Sequence, residues 1–163
     1  FLHAVHRIDK DVSGMILFAK SAKALKRLNE MMKSQFIRRI YLAEIEGEME
    51  KKEGVLEHFL VRKNFKATVC SSKTQDAKKA VLQYSTESKT KLGSILKIEL
   101  KTGRYHQIRL QLSATGHPII GDKKYGSSII SDQIHLHMAH LIFNHPVTKD
   151  EISIQSKPFF IKN

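Results

Sequence analysis

Cysteine, proline and long apolar runs are all scarce in this sequence of 163 residues. The single cysteine, Cys70, excludes an internal disulfide, and with no histidine close to it in sequence we interpret it as structural. No apolar run approaches the roughly 18 residues of a membrane-spanning helix, and the first residues lack the apolar stretch of a signal peptide. We therefore expect a soluble, cytoplasmic protein with no membrane partner.

Two nucleotide-binding signatures are also missing. The sequence contains neither the phosphate-loop pattern GxxxxGK[ST] nor the dinucleotide pattern GxGxxG. It has only three prolines, and no repeat or low-complexity segment that could mark a linker. We expect a single domain over residues 1–163, whose chemistry uses no nucleotide and no redox cofactor.

Positive charge, by contrast, is abundant. There are 28 lysines and arginines against 16 aspartates and glutamates, a formal net charge of +12, while 41% hydrophobic residues suffice for a core. Such a surface can serve solubility alone, but a field of this sign attracts polyanions, among which nucleic acid is a commoner partner than membrane. The composition favours a nucleic-acid-binding protein.

The hydrophobic pattern predicts an α+β fold. "SAKALKRLNEMMKSQF" begins with Ser21 as N-cap and spaces apolar residues as in an amphipathic helix. "RYHQIRLQLSATG" predicts a second helix ended by Gly116. Because helices and strands do not alternate strictly, we expect a mixed, largely antiparallel sheet flanked by helices. The helix residues on the apolar face are Leu25, Leu28, Met32 and Phe36, and the strand-like runs are residues 14–20, "RRIYLAEIEGEM", "GVLEHFLVRK", "KAVLQYSTES", "SILKIELKTG", "HLHMAHLIFNHP" and "EISIQS".

The stretch "HRIDKDVSG", residues 6–14, first suggests a calcium loop. Four of its residues occupy the first, third, fifth and sixth places of that pattern. The twelfth place requires a bidentate glutamate and holds Lys20 instead, and the run that follows resembles a strand rather than a helix. Calcium is therefore disfavoured. The four matching residues are Asp9, Asp11, Ser13 and Gly14.

Asp9 stands between Arg7 and Lys10. Nearby positive charge favours the ionised form of a carboxyl group, which suits nucleophilic or electrostatic work better than proton donation. A surface salt bridge explains the same residues equally well on this stretch alone.

Polar residues crowd a second stretch, "TGRYHQIR", residues 102–109. Its two arginines, Arg104 and Arg109, can hold phosphates, or one of them can pair with a buried carboxylate. His106 and Gln107 lie between them. The density of polar groups directly after an apolar strand suggests a site, although a solvated turn remains the alternative.

Histidines cluster in "HLHMAHLIFNHP", at His135, His137, His140 and His145. His135 and His137 would share one face of a strand, but no carboxylate or cysteine stands at zinc-ligand spacing. We predict structural histidines and no metal.

Four stretches together resemble the RluA-type RNA pseudouridine synthases, in the same order and at about the same spacing. His-Arg-Ile-Asp followed by Ser-Gly is specific to that family, and its combination with Thr-Gly-Arg-x-His-Gln-Ile-Arg is more so. The resemblance runs from about Leu2 to Phe160. The stretches are "HRIDKDVSGMILFAKS", "YLAEIEG", "TGRYHQIRLQLSATGHPIIGDKKYG" and "LHMAHLIFNHP".

The resemblance implies a role for three catalytic residues. Asp9 matches the aspartate that attacks a flipped uridine, so that the uracil detaches, rotates and rejoins through C5. Tyr41 matches the tyrosine that lies against the uracil ring and helps to remove the C5 proton. Arg109 matches the arginine that pairs with the aspartate.

Three further residues are implied to bind substrate. Arg7 resembles the arginine that enters the RNA stack as the base leaves, and Arg104 and His106 share the second motif. Arg39 stands where many relatives have lysine, a change we expect to be mild. No Asn-Lys-Pro segment precedes Phe1, so we expect an N-terminally incomplete catalytic domain.

The family implies a cofactor-free isomerase that acts on ribosomal or transfer RNA, and large-subunit ribosomal RNA is the first substrate we expect. For the oligomeric state we take a monomer as the default. Two rivals remain open at this point. One is an RNA-binding protein that keeps the fold without catalysis, and the other is a metal-dependent hydrolase that uses the histidines.

Overall fold

The computed structural model of the protein describes residues 1–161. Over that range the chain forms ten strands, two α-helices and one short 3-10 helix, Lys123–Tyr125. In chain order they are β1 His3–Ala4, β2 Ser13–Gly14, β3 Phe18–Ala19, α1 Ala22–Lys33, β4 Arg38–Glu46, β5 Glu53–Lys63, β6 Lys66–Cys70, β7 Lys78–Lys89, β8 Gly93–Leu100, α2 Gln107–Ala114, β9 Leu136–Asn144 and β10 Glu151–Gln155.

Eight of these strands form one sheet, whose order is β10-β9-β4-β8-β7-β5-β6, with β2 added beside β9. Only the β2–β9 pairing is parallel, and every other neighbouring pair is antiparallel. Strands β1 and β3 form a separate antiparallel pair. The prediction of an α+β fold with a mixed, largely antiparallel sheet is confirmed.

Helix α1 begins where its sequence predicts. The Ser21 hydroxyl accepts a hydrogen bond from the Ala24 amide at 3.1 Å, as an N-cap should. Within the helix, the side chain of Leu28 is buried. The helix ends earlier than expected, however. Gln35 adopts a positive φ of 59°, which turns the chain away, and Phe36 is 69% exposed rather than part of the apolar face.

The single strand predicted over residues 14–20 is wrong. The segment instead contributes the end of β2 to the large sheet and β3 to the small pair. Gly14 has a φ of +123°, which breaks the extended run directly after its pairing with Met138. Strand β6 was not predicted at all, because its short sequence "KATVC" carries little apolar alternation.

The middle of the large sheet carries the main hydrophobic core. Strand β4 pairs with β8 on one side and with β9 on the other, and Ala43 and Ile45 are fully buried there. A smaller core, which includes Leu60, Ala67 and Leu110, lies between the β5–β6 hairpin and α2. Helix α2 is therefore packed tightly against the sheet, and residues 107–112 are all buried.

No helix within residues 1–161 has the length and apolar character needed to cross a membrane.

Candidate active site

One cavity of about 400 Å³ brings together all six residues that the sequence singled out. The segment from His6 to Asp9 forms one wall, strand β4 forms the floor, and the start of α2 forms the opposite wall. The gathered residues are Arg7, Asp9, Tyr41, Arg104, His106 and Arg109.

The loop that carries Asp9 is fixed at both ends. The Leu17 amide donates to His6 Nε2 at 3.1 Å, and the Val5 amide donates to the Leu17 carbonyl at 2.8 Å, which ties the two ends of the loop together. After Asp9 the chain turns and enters β2, where Gly14 pairs with Met138 of β9. Because Met138 also pairs with Tyr41, the position of this loop is set relative to the floor of the cavity.

Arg109 connects two carboxylates. Its Nη1 donates to Asp9 Oδ2 at 3.2 Å, while Nε and Nη2 bind Asp122 Oδ2 and Oδ1 at 2.7 and 2.9 Å. The Asp122 side chain is 1% exposed and that of Asp9 is 22% exposed. Burial alone would lower the pKa of Arg109, but the hydrogen bonds and charges of Asp122 and Asp9 outweigh it and raise that pKa. Arg109 therefore stays cationic beside the more exposed carboxylate.

His106 lies next to the same pair of charges. It adopts the left-handed conformation, φ 53°, directly before α2, and its Nδ1 is 2.8 Å from the Tyr125 hydroxyl. That hydroxyl also accepts a hydrogen bond from the Ala67 amide at 3.2 Å. The other nitrogen, Nε2, lies 3.4 Å from Arg109 Nη1, which can only donate, and 3.7 Å from Asp9 Oδ2.

The ring of His106 stays neutral near pH 7. Burial lowers its pKa to about 4, and the positive charges of Arg109 and Lys124 oppose protonation further, while Asp9 and Asp122 act in the opposite direction. A neutral imidazole adds no charge beside the Asp9 carboxylate.

Tyr41 sits on the floor of the cavity with 5% of its surface exposed. Next to it the pairing of β4 with β9 shifts register between Ile40 and Tyr41, which leaves Ala139 as an extra residue on β9. Bulges of this kind re-aim side chains beside functional sites. Burial raises the pKa of Tyr41 to about 12; Arg39 lowers it and Asp9 raises it further.

The two remaining arginines lie at the mouth of the cavity. Arg7 and Arg104 are both exposed, and Arg104 Nε donates to the Lys79 carbonyl at 2.9 Å. Arg39, which is partly buried, and Arg62 also line the cavity, so this site holds two more cations than the sequence motifs indicated. The mouth is therefore positively charged around the Asp9 carboxylate.

The histidine cluster has ordinary structural partners. His135 precedes β9 rather than lying on it, contrary to the expected shared face, and its Nδ1 is 2.7 Å from Glu44 Oε2. His137 lies between the hydroxyls of Ser13 and Ser156. His140 and His145 contact Ser153 and Thr148. Among residues 1–161, no three histidine, cysteine or acidic side chains gather as a metal site.

Sequence reasoning missed two residues that hold the site together, Asp122 and Tyr125. Both stand in "GDKKYG", where the turn after the buried Ile119 and Ile120 directs them toward α2. A buried apolar run followed at once by Gly-Asp was the available signal. A carboxylate in such a place needs a cationic partner, and Arg109 was the candidate.

The sequence profile of the family described as "RNA pseudouridylate synthase" matches residues 1–114, which is more than half of the chain. The chain belongs to the RNA pseudouridylate synthase family. The resemblance seen in the motifs is thereby confirmed. The matched range contains every one of the six residues gathered in the cavity, whereas Asp122 and Tyr125 lie beyond it.

Named members of the family include two bacterial relatives. The "Ribosomal large subunit pseudouridine synthase C" of Haemophilus ducreyi is 30% identical, over 94% of this chain and 51% of its own length. The "Uncharacterized RNA pseudouridine synthase YhcT" of Bacillus subtilis is 35% identical, over 95% of this chain and 52% of its own length. The chain thus spans about half the length of the relatives it matches.

Solved structures support the fold. The human "RNA Pseudouridylate Synthase Domain Containing 1" superposes with a TM-score of 0.84 at 22% identity. The match covers 99% of this chain and 71% of the human chain. The human "RNA Pseudouridylate Synthase Domain Containing 4" gives 0.83 at 23% identity, over 96% and 71%. At these identities the likeness establishes the shared fold alone.

Proposed function

We propose that residues 1–163 are the catalytic domain of an RNA pseudouridine synthase, which isomerises uridine to pseudouridine in structured RNA. The observation that carries the proposal is the pairing of Asp9 with Arg109 at 3.2 Å, in a cavity whose floor is Tyr41. This set of three is what the family's chemistry requires, and a protein that only binds RNA has no need for it.

Asp9 is the nucleophile in this proposal. Its carboxylate attacks C1′ of the uridine, the C1′–N1 bond breaks, and the uracil leaves with the electron pair on N1. The uracil then rotates, C5 forms the new bond to C1′, and the Asp9 carboxylate is released. Loss of the C5 proton and gain of one proton at N1 complete the isomerisation without any change in composition.

Arg109 and His106 prepare the carboxylate for that attack. Arg109 supplies a fixed positive charge, and the ring of His106 faces the same Asp9 oxygen at 3.7 Å. Both groups are held by neighbours outside the cavity, Asp122 and Tyr125, before any substrate arrives. Such preorganisation lowers the cost of reaching the transition state.

Tyr41 packs against the uracil and takes part in the proton transfer at C5. Because its pKa is raised to about 12, the hydroxyl is protonated at neutral pH. Tyr41 is therefore not a permanent phenolate base: it takes the C5 proton as it gives its own hydroxyl proton to the released Asp9 carboxylate, the charged acceptor in the same cavity.

The substrate we propose is large-subunit ribosomal RNA, because relatives about twice as long as this chain are named "Ribosomal large subunit pseudouridine synthase C". A target uridine inside folded RNA must be flipped out of its stack before C1′ can be reached, at a cost of a few kcal/mol. Arg7 and Arg104 at the mouth of the cavity, together with the net charge of +12, supply contacts that offset this cost. We propose that the protein works as a monomer in the cytoplasm.

The test is pseudouridine mapping of ribosomal and transfer RNA from cells that lack the protein. The cells are complemented with the wild type, Asp9→Ala or Asp11→Ala. We expect one or a few pseudouridines to disappear and to return with the wild type and Asp11→Ala, because Asp11 is an exposed carboxylate outside the cavity. Asp9→Ala should restore none of them while its RNA affinity stays within a few-fold.

Two results would contradict the proposal. Restoration of pseudouridine by Asp9→Ala would remove Asp9 as the nucleophile. An unchanged map in cells without the protein would favour a non-catalytic RNA-binding role. A site lost from transfer RNA instead of ribosomal RNA would support the activity and change the substrate.

A further inference from the structure

We propose that the tip of the β5–β6 hairpin, residues 63–66, is a second RNA contact, in which Phe65 stacks on an unpaired base next to the uridine in the cavity. This inference rests on the proposed function for the identity of its partner. It adds a recognition element that lies outside the cavity, and it commits the substrate to a single-stranded or loop region.

Phe65 is an unusually exposed aromatic residue. Its side chain is 77% exposed at the end of a hairpin, where it contributes nothing to either hydrophobic core. Exposure of this size removes no apolar surface from water, so the residue does not stabilise the fold. Aromatic rings presented in this way bind bases by stacking, whatever the base, because every base has a π-face.

The backbone that presents the ring is held in place. Asn64 adopts the left-handed conformation, φ 54°, and its carbonyl accepts Arg62 Nε at 3.0 Å. The Phe65 carbonyl accepts the Tyr105 hydroxyl at 3.3 Å and also the Lys124 ammonium. The tip is therefore ordered before binding, and little conformational entropy remains to be lost.

A stack of three side chains joins the tip to the proposed nucleophile. The Arg62 guanidinium lies 4.2 Å above the centroid of the Tyr105 ring, and that ring stacks on His106 at 3.8 Å with an interplanar angle of 18°. His106 in turn faces Asp9. Three stacked side chains thus separate Asp9 from the hairpin tip, so the tip lies beside the path of a nucleotide strand that delivers a uridine to Asp9.

The charge around the ring suits a phosphate backbone. Lys63 and Lys66 flank Phe65 in sequence, both are exposed, and neither forms an ion pair with any side chain of residues 1–161. An aromatic residue between cations is the arrangement by which single-stranded nucleic acid is bound. A partner protein with an apolar patch is the competing occupant of this surface. The positive charge of the tip favours RNA over such a partner.

The experiment measures affinity for RNA without any turnover. A fluorescein-labelled single-stranded RNA of about 12 nucleotides, a length within the usual site sizes, contains no uridine, so isomerisation cannot contribute. We expect Phe65→Ala to weaken binding by about 5-fold to 100-fold and Phe65→Tyr to stay within about two-fold. Phe65→Leu, which is apolar but has no π-face, should behave like Phe65→Ala.

The matched control is Phe36→Ala, which removes another phenylalanine that is 69% exposed but lies at the far end of α1. It should leave affinity unchanged. The slope of log Kd against log salt should be the same for Phe65→Ala as for the wild type, and should fall by about 0.7 for Lys63→Ala or Lys66→Ala. Duplex RNA of equal length should be bound equally by the wild type and Phe65→Ala.

Each contrary result overturns the inference. Unchanged affinity in Phe65→Ala, an equal loss in Phe36→Ala, or an equal loss on duplex RNA removes base stacking at the tip. If pseudouridine is formed normally while Phe65→Ala binds normally, the inference fails and the enzyme proposal stands. If the RNA map is unchanged while Phe65→Ala still weakens binding, the enzyme proposal fails and the inference stands.

Discussion

Arg109 forms different hydrogen-bond geometries with its two carboxylate partners, Asp122 and Asp9. It binds Asp122 with two parallel hydrogen bonds in a fully buried setting, and it offers Asp9 a single bond at 3.2 Å on the exposed side. Geometry of the first kind is rigid and directional, since the guanidinium plane matches the carboxylate. Asp122 thereby fixes the arginine, and the arginine keeps one N–H for Asp9, the proposed nucleophile. A lysine in its place would keep the charge and lose this orientation.

We predict that Arg109→Ala loses most of the pseudouridine-forming activity and destabilises the protein by about 3–5 kcal/mol, because it leaves Asp122 buried without its partner. The double variant Arg109→Met with Asp122→Leu should recover most of the stability and none of the activity. Urea unfolding and RNA modification rates measure the two effects separately. Near-normal kinetics in Arg109→Ala would contradict the assignment.

At the scale of elements, the two-residue strand β2 has an effect out of proportion to its length. It is the only parallel neighbour of β9 in the described sheet, and it sets the loop of Asp9 against the strand that pairs with Tyr41. Gly14 allows this approach: a Cβ atom there would lie 2.5 Å from the Met138 nitrogen and 2.6 Å from its oxygen. Backbone atoms at that distance cannot move aside as a flexible side chain can.

We expect Gly14→Ala to destabilise the protein by about 3 kcal/mol or more and to reduce activity, since the loop must lift from β9. Gly116→Ala is the matched control, because Gly116 also has a positive φ, +85°, yet nothing lies within 4 Å of its added Cβ. That change should cost only about 1–2 kcal/mol of backbone strain. Thermal unfolding and modification rates of the two variants provide the comparison, and equal losses would argue against the packing explanation.

The sequence predicted the long elements well and the short ones poorly, for a physical reason. Helix α1 has its own N-cap and apolar face, and strand β4 is a run of nine residues rich in branched and apolar side chains, so local information suffices. Strands β2 and β6 exist because of partners far away in the chain, which no local pattern records. Phe36 was misassigned for a different reason, because the helix ends by a turn at Gln35 while the apolar periodicity continues to Phe36.

The candidate site divides along similar lines. The six residues, which come from three of the matched stretches, were assigned by resemblance, and the structure gathers them in one cavity. Asp122 and Tyr125 were missed, since their importance comes from contacts with Arg109 and His106 across the fold. The roles of all these residues in catalysis remain predictions for the variants above.

For the whole molecule, buried neutral histidines set the response to acid. Burial lowers the pKa of His6 and of His106 to about 4, and it lowers those of His58 and His137 as well. In the unfolded chain a histidine titrates near 6.5. Between these values the unfolded state binds protons that the folded state does not, so the free energy of unfolding falls as pH falls.

We therefore predict that stability is flat with respect to these groups above about pH 7 and declines from about pH 6.5 toward 4. Thermal unfolding at a series of pH values measures the decline. His6→Gln should make it shallower, because one of the four groups no longer titrates. Glu99, whose pKa the Arg38 hydrogen bond lowers to about 2, adds its own loss only under more acidic conditions. A His6→Gln profile parallel to the wild type would contradict this account.

The long-range pairing of this sheet also determines when the candidate site can be completed during synthesis. Asp9 and Arg109 are separated by 100 residues, and Ile40 of β4 pairs with His140 of β9. A nascent chain that has released β4 therefore waits for about 100 further residues, on the order of 5–20 s of translation, before that strand gains its second neighbour. Many lysines and arginines emerge from the ribosome well before Arg109 does. The growing polypeptide thus acquires much of its positive charge before Asp9 can meet Arg109.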